Sequence, residues 1–292
     1  MNNFEFTPFA AWFALIAFTL ESLIGKYTSK QETITPLVFN LLRNVTSFVL
    51  MLFLLVLNPP SRLLLSIDLI LAGTFYALSN LLYLYSVYRM DISIFGTLFN
   101  LRLAFSAILA ALLANEVLSG WQYVLVTLIF VSGIASNYSG KFAVRSYFTP
   151  AIIPAIGTML CLALMAVFIK RAAPVADNSL VALYLFSAAL VLGLATLPRC
   201  LSDIKHLGRP QIGLISGMAC FGFLGTVAVN TAYAGNVATT SAVISIPLAT
   251  LAAIALGLWR PSILEQQPRK IYVVRAVASL LCAAAAIGLT ML

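Results

Sequence analysis

Asn40, Arg43, Asn44 and Ser47 stand at i, i+3, i+4 and i+7 within an otherwise apolar stretch. On a helix that spacing makes one polar stripe, which must line a cavity or meet a partner's polar face. A second guanidinium, Arg102, lies in FGTLFNLRLAFSAIL (95–109), two residues after Asn100. Guanidinium groups give paired hydrogen bonds to carboxylate or phosphate, so Arg43 and Arg102 are both candidates to hold an acidic group. Glu21 is the natural counter-charge, as the only carboxylate well inside any apolar run. It answers one arginine and leaves the other over. Alternatively it receives an amino group or titrates as a coupling proton site.

Further along, Tyr76, Asn80 and Tyr83 share a helix face, setting an amide between aromatic walls. The later part of the chain offers Tyr184, Asn230, Ser241 and Ser245. Pro247 breaks the helical ladder; it either frees a carbonyl such as that of Val243 for a ligand or only allows a bend. For each polar or aromatic position alone, interhelical hydrogen bonding or packing is the competing explanation. For Arg102 it is a salt bridge that fixes helix packing.

Other chemistries lack their residues. The single histidine, His206, and the distant cysteines Cys161, Cys200, Cys220 and Cys282 form no CxxC pair and no metal-ligand set. The expectation is therefore no metal, no cofactor and no catalytic residue. No paired aspartates or Ser/His arrangement falls inside an apolar run, so the chain is expected not to be an enzyme.

The elements that position these residues are apolar. Of the 292 residues, 62% are apolar and 9% charged, against about 25% charged in soluble domains. Runs near 8–27, 35–57, 67–88, 92–114, 119–137, 148–170, 179–198, 211–234, 238–258 and 271–291 each approach the length of a membrane span, which is about 20 residues. Breaks such as NPPSR (58–62) and NEVLSG (115–120) carry turn chemistry. Trp12, Trp121 and Trp259 fall near run ends, where amphipathic rings favour the lipid–water interface. The first run has no basic flank or small-residue cleavage site and is expected to be a retained helix. The sequence thus predicts an all-α integral membrane protein with ten transmembrane helices. Its net charge of +8 belongs to the loops and suits a membrane surface rather than nucleic acid.

Arg102 lies about ten residues from either end of its run, which at about 1.5 Å per residue puts it near the bilayer centre. A charge there costs about 2.5–3.5 kcal/mol on an insertion scale, so it must face a polar interior.

An internal repeat organises the spans. Leu37-Val38 matches Leu180-Val181 at an offset of 143, Lys26 matches Lys170 at 144, and Tyr88 matches Tyr233 at 145. Each half, 1–140 and 141–292, holds five runs, and five is odd, so the second half enters the membrane inverted. Such inverted repeats are a common plan for secondary transporters, with the substrate site near the midplane. Loop charges shift with the inversion: Lys26, Lys30 and Arg89 in the first half, Arg199, Lys205, Arg209, Arg260, Arg269 and Lys270 in the second, although Lys170 and Arg171 stay behind. Basic loops mark the cytoplasmic side, which here puts both termini outside it. By its composition, GLISG (213–217) reads as a helix-packing GxxxG motif.

ESLIGK (21–26), LLRNVTSFVLMLFLL (41–55), the stretch from Tyr88 to Glu116 with LSGWQ (118–122), and SAVISIPLATLAAIALG (241–257) occur in an order that resembles the EamA-like carriers of the drug/metabolite transporter superfamily. They resemble, in turn, that family's first-helix end, arginine-bearing second helix, fourth helix with terminal glutamate, and proline-bearing ninth helix. Three departures stand out. GLWRP (257–261) replaces the usual glycine–glutamate close of the ninth helix. Arg102 stands where the family usually has proline, opposite Pro247 in the repeat. The family's cytoplasmic termini also conflict with the loop charges, leaving orientation open.

The resemblance implies a multi-pass carrier of a bacterial inner membrane, monomeric, exporting a small polar metabolite by alternating access. With both charge signs inside the bundle, an amino acid or related carboxylate or zwitterion is the expected substrate; an organophosphate or nucleotide sugar is the alternative. A membrane scaffold or receptor-like bundle is the reading without transport.

Overall fold

A computed structural model of the chain describes residues 7–29, 34–87, 100–136, 152–248, 251–252, 255 and 269–291. Tyr88, residues 92–99, most of the ninth apolar run beyond Leu248, and GLWRP lie outside the described residues, as does the Lys26 side chain. All regular structure among the described residues is helical, in eleven helices. They are α1 (Thr7–Ser29), α2 (Pro36–Leu57), α3 (Ile67–Val87), α4 (Leu101–Leu113), α5 (Gly120–Ser136), α6 (Ile152–Ala172), α7 (Asn178–Ala195), α8 (Leu197–Ile204), α9 (Arg209–Gly235), α10 (Val237–Ile244) and α11 (Arg269–Met291). Six of them, α1, α2, α6, α7, α9 and α11, are long and apolar enough to cross a membrane, and α3, α4 and α5 are shorter apolar helices.

Helix starts follow local chemistry. Pro36 opens α2 and Pro210 falls in the first turn of α9, where a missing N–H costs nothing. Asp177 caps α7: Oδ1 accepts from Leu180 N–H at 2.9 Å, while Oδ2 accepts from Ser61 N–H at 2.6 Å. The same carboxylate thus ties the α2–α3 connection to the start of α7. Burial works to raise the Asp177 carboxyl, but these hydrogen bonds outweigh it and hold the group below its ordinary value.

The helices pack in a definite set of pairs. α1 lies along α9 and α3 along α6; α2 meets α7, α4 meets α10, and α5 packs on α11. One core gathers around Tyr76, Phe186 and Phe223, another around Leu103, Ile129, Val243 and Cys282. Phe75 stacks on Phe168 at 5.8 Å, and Arg171 Nε reaches Asp68 Oδ1 at 3.3 Å, joining α3 to α6. Large apolar side chains such as Phe53, Val56 and Leu280 remain exposed, as lipid-facing residues would.

Close helix approach depends on glycines other than those of GLISG. A Cβ at Gly213 or Gly217 would meet nothing within 4 Å, so these two glycines face open space and bring no helix close. The spacing of the motif is right, but it lies on the wrong face of α9. The packing glycines are Gly222 and Gly225, against Glu21 and Phe18 of α1, and Gly73 of α3, where a Cβ would stand 2.6 Å from the Tyr184 carbonyl oxygen of α7. The polar stretch around Cys200, which reads as a loop, forms the short helix α8, with Cys200 buried against Val38 and Leu41.

Gly73→Ala meets backbone and is expected to cost about 1–3 kcal/mol, whereas Gly217→Ala is expected to be neutral or mildly stabilising; thermal unfolding in detergent checks the contrast. Asp177→Ala is expected to cost about 1 kcal/mol as a lost cap. Because the folded carboxyl titrates below its unfolded value, its ionic contribution is full above the ordinary 3.8 and fades as pH falls through the depressed folded value. The melting difference between the parent and Asp177→Asn should therefore shrink between pH 7 and pH 3.

Candidate functional site

Two polar clusters lie inside the bundle. The first joins α1, α2 and α3. Arg43 Nη2 donates to Glu21 Oε1 at 2.6 Å, and Nη1 donates to Asn80 Oδ1 at 3.3 Å. Both charged side chains are largely buried, at 15% and 10% exposed. Tyr76 and Tyr83 lie within electrostatic range of the guanidinium, and Tyr76 also meets Phe186 edge-on at 5.7 Å. Glu21 is therefore the counter-charge of Arg43.

A neighbour from the other half of the chain makes room for this pair. A Cβ at Gly222 on α9 would stand 2.6 Å from Glu21 Oε1. Three contacts descend α1 as they climb α9: Gly25 with Met218, Glu21 with Gly222, and Phe18 with Gly225. Spacings of three and four residues on both helices keep this seam on one face of each.

The second cluster joins α4, α9 and α10. Arg102, 5% exposed, donates a hydrogen bond from Nη2 to the Tyr233 hydroxyl and lies 5.8 Å from the centre of that ring. Ser241 of α10 stands beside the same phenol. Ser106 lies one turn along α4 from Arg102, on the same face, and is fully buried. Asn230, one turn before Tyr233, is 2% exposed, and neither its amide nitrogen nor its oxygen has a hydrogen-bond partner among the described residues. The hydroxyl of Ser106 has none either. Buried polar groups are nearly always satisfied, so this concentration of unmet donors and acceptors marks the cluster as a place for a polar ligand.

The other candidate residues make separate contacts. Asn44 donates to the Ala189 carbonyl of α7 at 3.0 Å, and Asn40 and Ser47 are buried on the same face of α2. Asn100 packs against Gly133 of α5. Tyr184 stands apart from both clusters, in an outward groove, donating to the Leu64 carbonyl at 3.0 Å. Ser245 bonds back to the Ser241 carbonyl at 2.6 Å. The chain does break before Pro247, where α10 stops at Ile244, but the Val243 carbonyl accepts from Ile246 N–H at 3.1 Å. The described part of α4 begins at Leu101, placing Arg102 in its first turn.

Tyr233 and Gly222 are the site residues that sequence reasoning missed. Tyr233 carries a signal, its repeat match to Tyr88; Gly222 carries none, because its role is the absence of a side chain opposite Glu21.

Residues 8–138 match the model of the EamA-like transporter family. Over these residues, a little under half of its length, the chain is similar to that family. With six helices long and apolar enough to cross a membrane, that match indicates a multi-pass membrane transporter of the drug/metabolite transporter type. No curated protein matches the sequence. A solved structure, described only as "Crystal structure of protein", aligns with a TM-score of 0.71 at 14% identity, covering 97% of this chain and 96% of that one. At that identity it shows a shared fold over the whole length.

Removing one partner of the buried ion pair leaves the other uncompensated. Arg43→Gln is expected to cost about 3–5 kcal/mol, and the double variant Glu21→Gln/Arg43→Gln to recover a large part. Unfolding of the three variants in detergent measures the coupling; additive losses would contradict the pairing.

Proposed function

We infer that this transporter is a secondary carrier exporting a small amino acid or related carboxylate by alternating access, with ten spans in two inverted repeats, 1–140 and 141–292. The observation that carries the reading is the Asn230 amide, buried with both its polar atoms unpartnered beside Arg102, Tyr233 and Ser241. An amide offers both a donor and an acceptor. A substrate carboxylate takes the guanidinium and the Ser241 hydroxyl, and its amino group takes Asn230 Oδ1. One guanidinium matches a monoanion or zwitterion better than a doubly charged phosphate.

Helix pairing supports the inverted repeat. If α1 to α5 correspond to α6, α7, α9, α10 and α11, the packing of α1 on α9 becomes that of α6 on α3, and both pairs occur. The pairs α2 with α7, α4 with α10, and α5 with α11 each map onto themselves and also occur. A pseudo-twofold relation accounts for these five pairs. Export is read from the family resemblance, as is the bacterial inner membrane.

Glu21 and Arg43 have a different role in this account. About eight residues of α9 separate Gly222 from Asn230, or roughly 12 Å of helix, too far for one small amino acid to reach both clusters. Glu21 couples instead in this reading: protonation neutralises it, weakens its bond to Arg43 and loosens the α1–α9 seam, and α9 carries the change to Asn230 and Tyr233.

Amino-acid flux in proteoliposomes tests this reading. Arg102→Gln and Asn230→Leu are expected to fold and to raise KM at least about tenfold, the scale of one charge-assisted hydrogen bond lost. Glu21→Gln is expected to abolish the acceleration by a proton gradient. A folded Arg102→Gln protein that transports normally would place the site elsewhere.

A further inference from the structure

At one end of the bundle, two charged residues outside both clusters grip the turn between α9 and α10. Asn115, at φ 53, adopts the left-handed conformation that asparagine tolerates. It turns the chain after α4 so that the Glu116 N–H reaches back to the Ala110 carbonyl at 3.1 Å. The Glu116 carboxylate is thereby delivered to the start of α10, where it accepts from Val237 N–H at 2.9 and 3.1 Å and from Ala238 N–H at 3.2 Å. Lys170, in the last turn of α6, donates from Nζ to the carbonyls of Ala234, at 3.0 Å, and Gly235, which end α9. Its ammonium lies 3.8 Å from Glu116 Oε1.

Each charge matches the helix end it touches: a carboxylate on free N–H groups at an N-terminus, an ammonium on free carbonyls at a C-terminus. The residues come from different halves of the chain, so this contact joins half to half on one membrane face. It also fixes α10, which carries Ser241, against α9, which carries Tyr233. Rocking one half against the other toward this face must pull Glu116 off the α10 terminus.

In the sequence, the repeat-equivalent position holds no carboxylate. Lys26 is the repeat counterpart of Lys170, but an offset of 145 from Glu116 falls on Pro261, in GLWRP. We propose that Glu116 and Lys170 are positioning residues forming a gate clasp on the face of the α9–α10 turn. They touch no substrate, and they hold the path closed on that face.

The need for motion rests on the carrier reading, but the test requires no substrate and so fails separately from it. Ser241→Cys supplies a buried reporter, labelled by a membrane-impermeant thiol reagent added to either side of oriented vesicles. The four native cysteines, of which Cys161, Cys200 and Cys282 are buried, set the background in the otherwise unchanged chain. Adding Glu116→Gln, or independently Lys170→Met, is expected to speed labelling from the clasp face about tenfold, the scale of one charge-assisted pair lost. Labelling from the other face should stay constant, and Glu116→Asp should restore part of the protection. Unchanged labelling, or equal acceleration from both faces, would overturn the proposal, the latter marking a loosened bundle. In flux measurements Glu116→Gln and Lys170→Met, each with Ser241 intact, should change maximal rate and leave KM nearly unaltered; a raised KM at constant rate would overturn the positioning role.

Discussion

A guanidinium inside an apolar bundle must find its hydrogen bonds within the protein, and Arg43 finds them on Glu21 and Asn80. That requirement fixes α1, α2 and α3 relative to one another. It also dictates the shape of a fourth helix, because the Glu21 carboxylate fits only where α9 has Gly222. Ion pairs of this kind contribute little net stability compared with a well-packed apolar replacement. What the pair supplies is a specific arrangement whose loss leaves a charge stranded, which suits the alternating access proposed above.

Helix α9 connects this fixed point to the second cluster. Its Gly222 and Gly225 face α1, while Phe223, Thr226, Asn230 and Tyr233, at i, i+3, i+7 and i+10, are buried along a neighbouring stripe. Phe223 meets Phe186 at 5.0 Å, and Tyr233 meets Arg102. The same helix therefore touches the ion pair on one stripe and the unmet polar groups on the other. A shift at the α1–α9 seam has a direct mechanical route to Asn230 without any chain of intermediates.

The hydropathy pattern made the helices legible, because a segment exposed to lipid must satisfy its backbone internally and must be apolar over its length. Polar spacing made the Arg43 stripe legible for the same reason, and charge count made Glu21 its natural partner. Periodicity shows which face of a helix is polar, but not which helix lies opposite. Hence the choice between Arg43 and Arg102 as the partner of Glu21 needed coordinates, and so did the contacts that Asn44 and Asn100 make. GLISG had the right spacing on the wrong face, while Gly222 and Gly225, spaced by three, matched no motif. Helix α8 escaped notice because its eight residues are amphipathic rather than apolar throughout.

Coupling through α9 is the central claim, and hydrogen exchange along residues 218–235 in lipid nanodiscs addresses it most directly. The account predicts that a transported amino acid slows exchange around Asn230 and Tyr233, and that Glu21→Gln alters exchange in that same stretch, although Glu21 lies against Gly222. Exchange in α9 that responds to neither the substrate nor the Glu21 substitution would contradict it.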